Sequence, residues 1–383
     1  MRQTDTGTGS ATAAAAPLAA TPAGTRRPDP RRWYALALLC TTLFVIILDA
    51  SVLVVAIPSI QAALAMDPGT AQWVVSAYAV PFGGLMLLGG RLADVLGRRR
   101  VFMVGVGLFA LASLACGLAG SSEALIAARM VQGAAAAVMT PSALSIVVTT
   151  FDEGAERNKA LGFWGATGGI GGTAGALIGG PVTDGPGWPW IFYLNVPVCV
   201  ALLALSPALL QESRDRSHRR SFDVLGAGTV TAATLLLVYA VVQAPVNGWA
   251  SPATLRPLLL AVASGTVFWR VERRSADPLV PPRVFASRTL VAGNLVTVAI
   301  AMMVFGGVAF TLTQYAQLVL GYSAWEFGLM SSVNAAMAMV GSYVGQRAMT
   351  RYGARAGGRG ESAAHRRGLR VLHRDRGGRQ LPR

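Results

Sequence analysis

Two side chains carry the chemistry this sequence offers first. Asp49 stands in Leu48-Asp49-Ala50-Ser51-Val52-Leu53-Val54-Val55-Ala56-Ile57-Pro58, and Arg129 in Arg129-Met130-Val131-Gln132-Gly133, each inside an otherwise uncharged apolar stretch. A charge at that depth costs about 2.5–3.5 kcal/mol on insertion scales, so a functional role is the default expectation. A carboxylate takes up and releases a proton, and a guanidinium beside it favours its charged form. At 1.5 Å per residue, Asp49 lies roughly 12 Å from one end of its stretch and Arg129 roughly 9 Å from the matching end of its own, so the two are expected to face one cavity. The chemistry implied is proton coupling, with Asp49 carrying or sensing the proton and Arg129 tuning it. The alternative is a permanent ion pair that only fixes packing.

Two further clusters are structural in character. The run Gly90-Arg91-Leu92-Ala93-Asp94-Val95-Leu96-Gly97-Arg98-Arg99-Arg100 combines a turn glycine, Gly97, with a small residue for close helix approach, Gly90. Its Asp94 can accept charge-assisted bonds from an arginine or a helix N-terminus. Nine glycines fall between Gly162 and Gly180, with Gly168/Gly172 and Gly171/Gly175/Gly179 at four-residue spacing. Glycines on one face let neighbouring helices approach closely. Phe44, Trp73, Tyr78, Gln132 and Trp164 are candidates to line a cavity for lipophilic substrates, as are Phe82 and Tyr315, although packing or interface roles are open for each. No Ser/His/Asp, Cys/His or paired-carboxylate spacing appears, nor a phosphate loop, so an enzyme is not expected. The string Gly169, Gly171, Ala174 follows no strand and is not a dinucleotide fingerprint. Cys40, Cys116 and Cys199 lie in apolar runs without metal-ligand spacing, and no metal is expected.

The elements that must hold these residues follow from composition. The chain has 383 residues, 53% hydrophobic and 13% charged, with a mean hydropathy of +0.50. An ordinary soluble domain carries about a quarter charged residues. A bilayer core needs about 20 apolar residues per helix. Ten stretches qualify: Trp33 to Ile57, Trp73 to Gly90, Val101 to Gly120, Ala124 to Thr149, Ala160 to Val182, Ile191 to Leu210, Val224 to Gln243, Leu255 to Val271, Leu290 to Thr313 and Phe327 to Met349. Of 33 basic residues, 31 fall before the first span, after the even-numbered spans, or in the C-terminal region. Basic residues stay on the cytoplasmic side of short loops. The net charge of +15 therefore reads as topology, with both termini cytoplasmic in a multi-pass cell-membrane protein, and nucleic acid is not an expected partner.

The loop from Gly90 to Arg100 matches G-x-x-x-D-x-x-G-R-[RK] at every fixed position and resembles the signature of the major facilitator superfamily. The Asp49 segment resembles L-D-x-T-V-V-N-V-A-L-P with Ser51 for Thr and Val54 for Asn. Arg129 to Gly133 resembles R-x-x-Q-G, and Trp188 to Pro197 resembles W-R-W-I-F-x-I-N-V-P with Pro189 for Arg. Together these are similar to the fourteen-span drug:proton antiporter branch. The resemblance implies an all-α fold with two six-helix bundles and two linker helices. It also implies a latch at Gly90, Asp94, Gly97, Arg98 and Arg99 that stabilises the outward-facing state. The glycines Gly168, Gly171, Gly172, Gly175 and Gly179 match its antiporter motif in position, with Thr173 where the family has proline.

On that reading residues 1–32 form a disordered cytoplasmic tail, 33–211 the N-terminal six-helix bundle, 212–273 a linker with spans seven and eight, and 274–353 a partial C-terminal bundle. The expected function is proton-coupled export of lipophilic or cationic drugs or related metabolites by alternating access. It needs no cofactor, and the expected partners are the small-molecule substrates, protons and membrane lipid, with no oligomer. Residues 354–383 hold nine arginines where a hydrophobic eleventh span is due, and such a segment does not cross a bilayer. The expectation is an out-of-frame tail on a fourteen-span protein that lacks its last four spans. The alternatives are a genuine lipid-binding tail and a membrane fragment that does not transport.

Overall fold

A computed structural model describes residues 30–213, 224–275 and 286–301, with single positions between 315 and 337. Apart from short connecting turns, the described residues are helical. In chain order the helices are α1 Arg31–Ala63, α2 Pro68–Leu96, α3 Arg98–Gly117, α4 Ser122–Thr150, α5 Ala155–Asp184, α6 Trp190–Tyr193, α7 Asn195–Leu209, α8 Val224–Asn247, α9 Pro252–Arg274 and α10 Arg288–Ala301. The tenth expected span and residues 354–383 lie outside the described residues, apart from isolated positions in the span.

Local chemistry explains where these helices start and stop. Asp67 caps α2, accepting from the Gly69 and Thr70 amides at 2.9 and 3.1 Å, with Pro68 following at the first helical position. Ser121 caps α4 through the Ala124 amide. Gly97 separates α2 from α3 with φ 110°, a conformation that an L side chain resists. The sixth expected span reads as α6 and α7 because Pro197 has no N–H to bond the Tyr193 carbonyl, while Leu194 between them keeps helical φ and ψ of −56° and −31°. Helix α1 runs past Pro58 to Ala63, six residues beyond the expected end, which brings Asp49 nearer the middle of its helix.

Among the described residues, six segments are both long and apolar enough to cross a membrane: Arg31–Ala63, Gly69–Leu96, Arg98–Gly117, Ser122–Thr150, Trp190–Leu209 and Leu225–Asn247. Helix α5 has 30 residues but its glycines dilute its hydropathy. Helix α2 packs along α4, α1 along α5, and α3 against α4 and α7; α8 pairs with α9 and leans on the outer face of α2. Two buried clusters fill the bundle, one around Phe102, Phe109, Met139 and Phe151 and one around Leu53, Ile60, Leu125 and Phe192. Between them sits the polar site.

Candidate functional site

Asp49 and Arg129 meet. The Arg129 guanidinium donates from Nη1 to Asp49 Oδ2 at 2.7 Å, and both side chains are 1% exposed. The other carboxylate oxygen, Oδ1, accepts from Gln132 Nε2 at 2.9 Å and from Asn195 Nδ2 at 2.7 Å. Helices α1, α4 and α7 thus close on one carboxylate, and α3 joins through Ser113, whose hydroxyl accepts from Gln132 Nε2 at 2.9 Å. Gln132 Oε1 in turn accepts from Arg129 Nη1 at 2.7 Å and from the Cys116 thiol at 3.6 Å. Arg129 and Gln132 are three residues apart on α4 and so share a face.

Arg129 does not depend on Asp49 alone. Its Nε donates to the Val74 carbonyl at 3.2 Å, and its guanidinium carbon lies 4.4 Å from the Tyr78 ring centre and 5.9 Å from that of Phe192. Aromatic faces attract a cation through their quadrupole, more strongly when water is excluded. Two polar atoms of the site lack partners although both are buried: Asn195 Oδ1 and Tyr78 Oη.

Asp49 and Arg129, expected to face one cavity, are in direct contact. The pair is enclosed by side chains, so in this conformation it is a closed contact within the bundle. Gln132, expected at a cavity wall, is fully buried in the same contact, and Tyr78 is 6% exposed against Arg129. Phe44 and Trp164 pack against the buried core. Trp73 lines an open cleft of about 220 Å³ between α2 and α8, with Asp67, Gln72 and Gln243, and faces Tyr239 at 6.0 Å. The cavity candidates are therefore spread over three places.

The arginine loop is anchored on both sides. Arg98 donates to Asp94 Oδ1 from Nη2 at 3.0 Å and from Nε at 3.3 Å. Its backbone amide donates to the Ser213 carbonyl at 3.2 Å, and Arg99 Nη1 donates to the Leu210 carbonyl at 3.2 Å. Glu212 stands 3.8 Å from Arg99 and 3.6 Å from Arg100. The close-approach glycine is Gly89, not Gly90: a Cβ at Gly89 would collide with the Ala137 carbonyl of α4, whereas at Gly90 it would lie an ordinary 3.6 Å from Pro141.

On α5, Gly168, Gly171, Gly175 and Gly179 form the seam against α1. Added Cβ atoms would stand 3.3 Å from Ile47, 3.1 Å from the Phe44 carbonyl, 2.5 Å from Ser51 Cβ and 3.2 Å from Val55. Gly172 is at the margin of that seam, 3.8 Å from the Ser51 hydroxyl. Sequence reasoning missed Ser113 and Asn195. Asn195 lies inside the quoted Trp188 to Pro197 motif, and a neutral amide opening an apolar helix was the available signal.

Known proteins agree with this architecture. The puromycin resistance protein of Streptomyces alboniger is 41% identical over 297 residues, covering 77% of this chain and 58% of its own length. The cephamycin export protein of Amycolatopsis lactamdurans is 42% identical, covering 77% and 61%. The tetracenomycin C resistance and export protein of Streptomyces glaucescens is 34% identical, covering 88% and 62%. The chain thus spans about three fifths of the length of these relatives. Among solved folds, a crystal structure of a mutant peptide transporter POT with sulfate superposes with a TM-score of 0.56 at 19% identity, over 84% of this chain and 69% of that one. The family profile of the Major Facilitator Superfamily matches residues 39–359, which takes in the buried ion pair, the arginine loop and the glycine seam, and this multi-pass membrane protein belongs to that superfamily of transporters.

Proposed function

We propose that this chain serves proton-coupled secondary transport of the fourteen-span drug:proton antiporter type, exporting lipophilic or cationic drugs or related metabolites by alternating access. The observation that carries the reading is the Asp49–Arg129 pair, a carboxyl group enclosed at membrane depth on α1 and tied to both α4 and α7. An ionised Asp49 holds α1, α4 and α7 together; a proton on it removes the charge that the three donors share, and the helices become free to repack. The names of three relatives, which speak of puromycin, cephamycin and tetracenomycin C, support an antibiotic-like substrate class. The drive is the proton gradient, at about 2.3 kcal/mol per charge per 100 mV for its electrical part, and the transport requires no cofactor.

On this reading the arginine loop faces the cytoplasm and, clamped to the end of α7, acts as the latch that steadies the outward-facing state. Both termini are cytoplasmic, and α8 and α9 are linker helices between bundles. Everted membrane vesicles carrying the chain test the proposal with puromycin and tetracenomycin C. Proton release on drug addition, abolished by Asp49→Asn, is the expected result. No release from well-inserted protein favours the non-transporting fragment, and release unaffected by Asp49→Asn removes Asp49 from the mechanism.

A further inference from the structure

The Asp49 site contains a buried acceptor without a donor. Asn195 Oδ1 is buried, in a residue only 1% exposed, and accepts nothing, while Asn195 Nδ2 donates to Asp49 Oδ1 at 2.7 Å. A buried acceptor without a donor is costly, and each such group asks for an explanation. The charged groups around the carboxylate do not provide one. Arg129 of α4 points at Oδ2; Tyr78 of α2, Cys116 of α3 and Cys199 of α7 are the other titratable side chains near it. None of them donates to Asn195 Oδ1.

Resting on the proton-carrier reading of Asp49, we propose that Asn195 is the positioning residue that receives the protonated carboxyl. Oδ1 of Asp49 accepts two N–H donors, so a proton added there has no acceptor unless one amide turns over. Gln132 cannot turn: its Nε2 donates to Ser113 and its Oε1 accepts from Arg129 and Cys116. Asn195 has no bond to lose at Oδ1. Rotation of its amide exchanges N–H···O⁻ for O–H···O, so one hydrogen bond breaks, one forms, and the proton stays on Asp49. Arg129 retains Gln132, the Val74 carbonyl and the Tyr78 face, so its charge remains held when its counterion is neutral. Because Asn195 opens α7 where the helical hydrogen-bond ladder is broken at Pro197, the amide's two orientations report the protonation state to the junction of α6 and α7.

Infrared difference spectroscopy of the full chain in lipid, titrated with acid, separates the possibilities. The wild-type protein is expected to gain a hydrogen-bonded carboxylic C=O band, absent in Asp49→Asn, together with a shift of the side-chain amide band that moves on 15N-asparagine labelling. In Asn195→Leu the carboxylic band is expected to persist at the higher frequency of an acid whose O–H has no acceptor, with the labelled amide shift lost. A carboxylic band at unchanged frequency in Asn195→Leu overturns the proposal and leaves Asp49 as carrier. If Asn195→Leu does not insert, the wild-type amide band decides: no shift accompanying the carboxyl band overturns it equally. A band that survives in Asp49→Asn shows instead that Asp49 is not the proton carrier, which is failure of the underlying reading.

Discussion

At the residue scale the site is a carboxylate with three donors and a guanidinium with several acceptors, and the two are not equally dependent. Removing Arg129 leaves Asp49 as a buried charge whose main counterion is gone, a change that costs about 3–5 kcal/mol in buried pairs. In an Asp49→Asn background the same removal strands no anion. Arg129→Ala is therefore expected to lower thermal stability in detergent strongly on the wild-type chain and much less on Asp49→Asn, a coupling read from a double-mutant cycle. Equal losses in both backgrounds would show that the pair contributes little. Gln132→Leu belongs to the same test. It keeps the volume but orphans the Ser113 hydroxyl and removes one donor from Asp49, so a loss of about 1–3 kcal/mol is expected in the same melt.

At the element scale, backbone proximity decides which small residues matter. A helix turns about 100° per residue, so Gly89 meets the backbone of α4 while its neighbour Gly90 makes only an ordinary contact with the Pro141 side chain of the same helix. Gly89→Ala is expected to cost about 1–3 kcal/mol through overpacking against the Ala137 carbonyl, and Gly90→Ala to be tolerated, as compared by melting temperatures. The reverse order would mean that α2 and α4 cross differently. A second prediction concerns the start of α2. The Thr70 hydroxyl, then the Thr70 and Gly69 amides, hold Asp67 below the ordinary 3.8. A depressed value means stability that is present above the unfolded-state value and is lost as pH falls through the folded one. Asp67→Ala should thus destabilise at neutral pH, and its gap from wild type should narrow in acid; a gap that stays constant with pH would show a cap indifferent to charge. These cases also show what the sequence makes legible. Asp49 and Arg129 were visible because charge in an apolar stretch is rare, and the spans because hydropathy is averaged over many residues. Asn195, Ser113 and the choice of Gly89 over Gly90 were not, since neutral polar residues and glycines recur along these helices and only the rotational setting of each helix, fixed by packing, separates a contact from its neighbour.

At the scale of the molecule, two sets of contacts gather the basic residues at one end of the bundle. Arg32 forks onto Glu156 at 2.7 Å, tying the start of α1 to the start of α5. The Arg98 amide and Arg99 tie the start of α3 to the end of α7. That end carries Arg31, Arg32, Arg91, Arg98, Arg99, Arg100, Arg157 and Lys159, whereas the opposite turns, residues 64–67, 118–121 and 185–189, contain no lysine or arginine. Basic residues near span ends remain on the cytoplasmic side, so the asymmetry predicts an orientation that cysteine labelling checks. Glu153 is exposed in the turn before α5, and Gly120 is exposed in the turn before α4, with open space for a side chain. Native Cys116 and Cys199 are buried and Cys40 half-buried, which keeps the background low. A membrane-impermeant maleimide added to intact cells should label Gly120→Cys at once, and Glu153→Cys only after the membrane is opened. Labelling in the opposite order would invert the topology and, with it, the direction of the proton coupling proposed for Asp49.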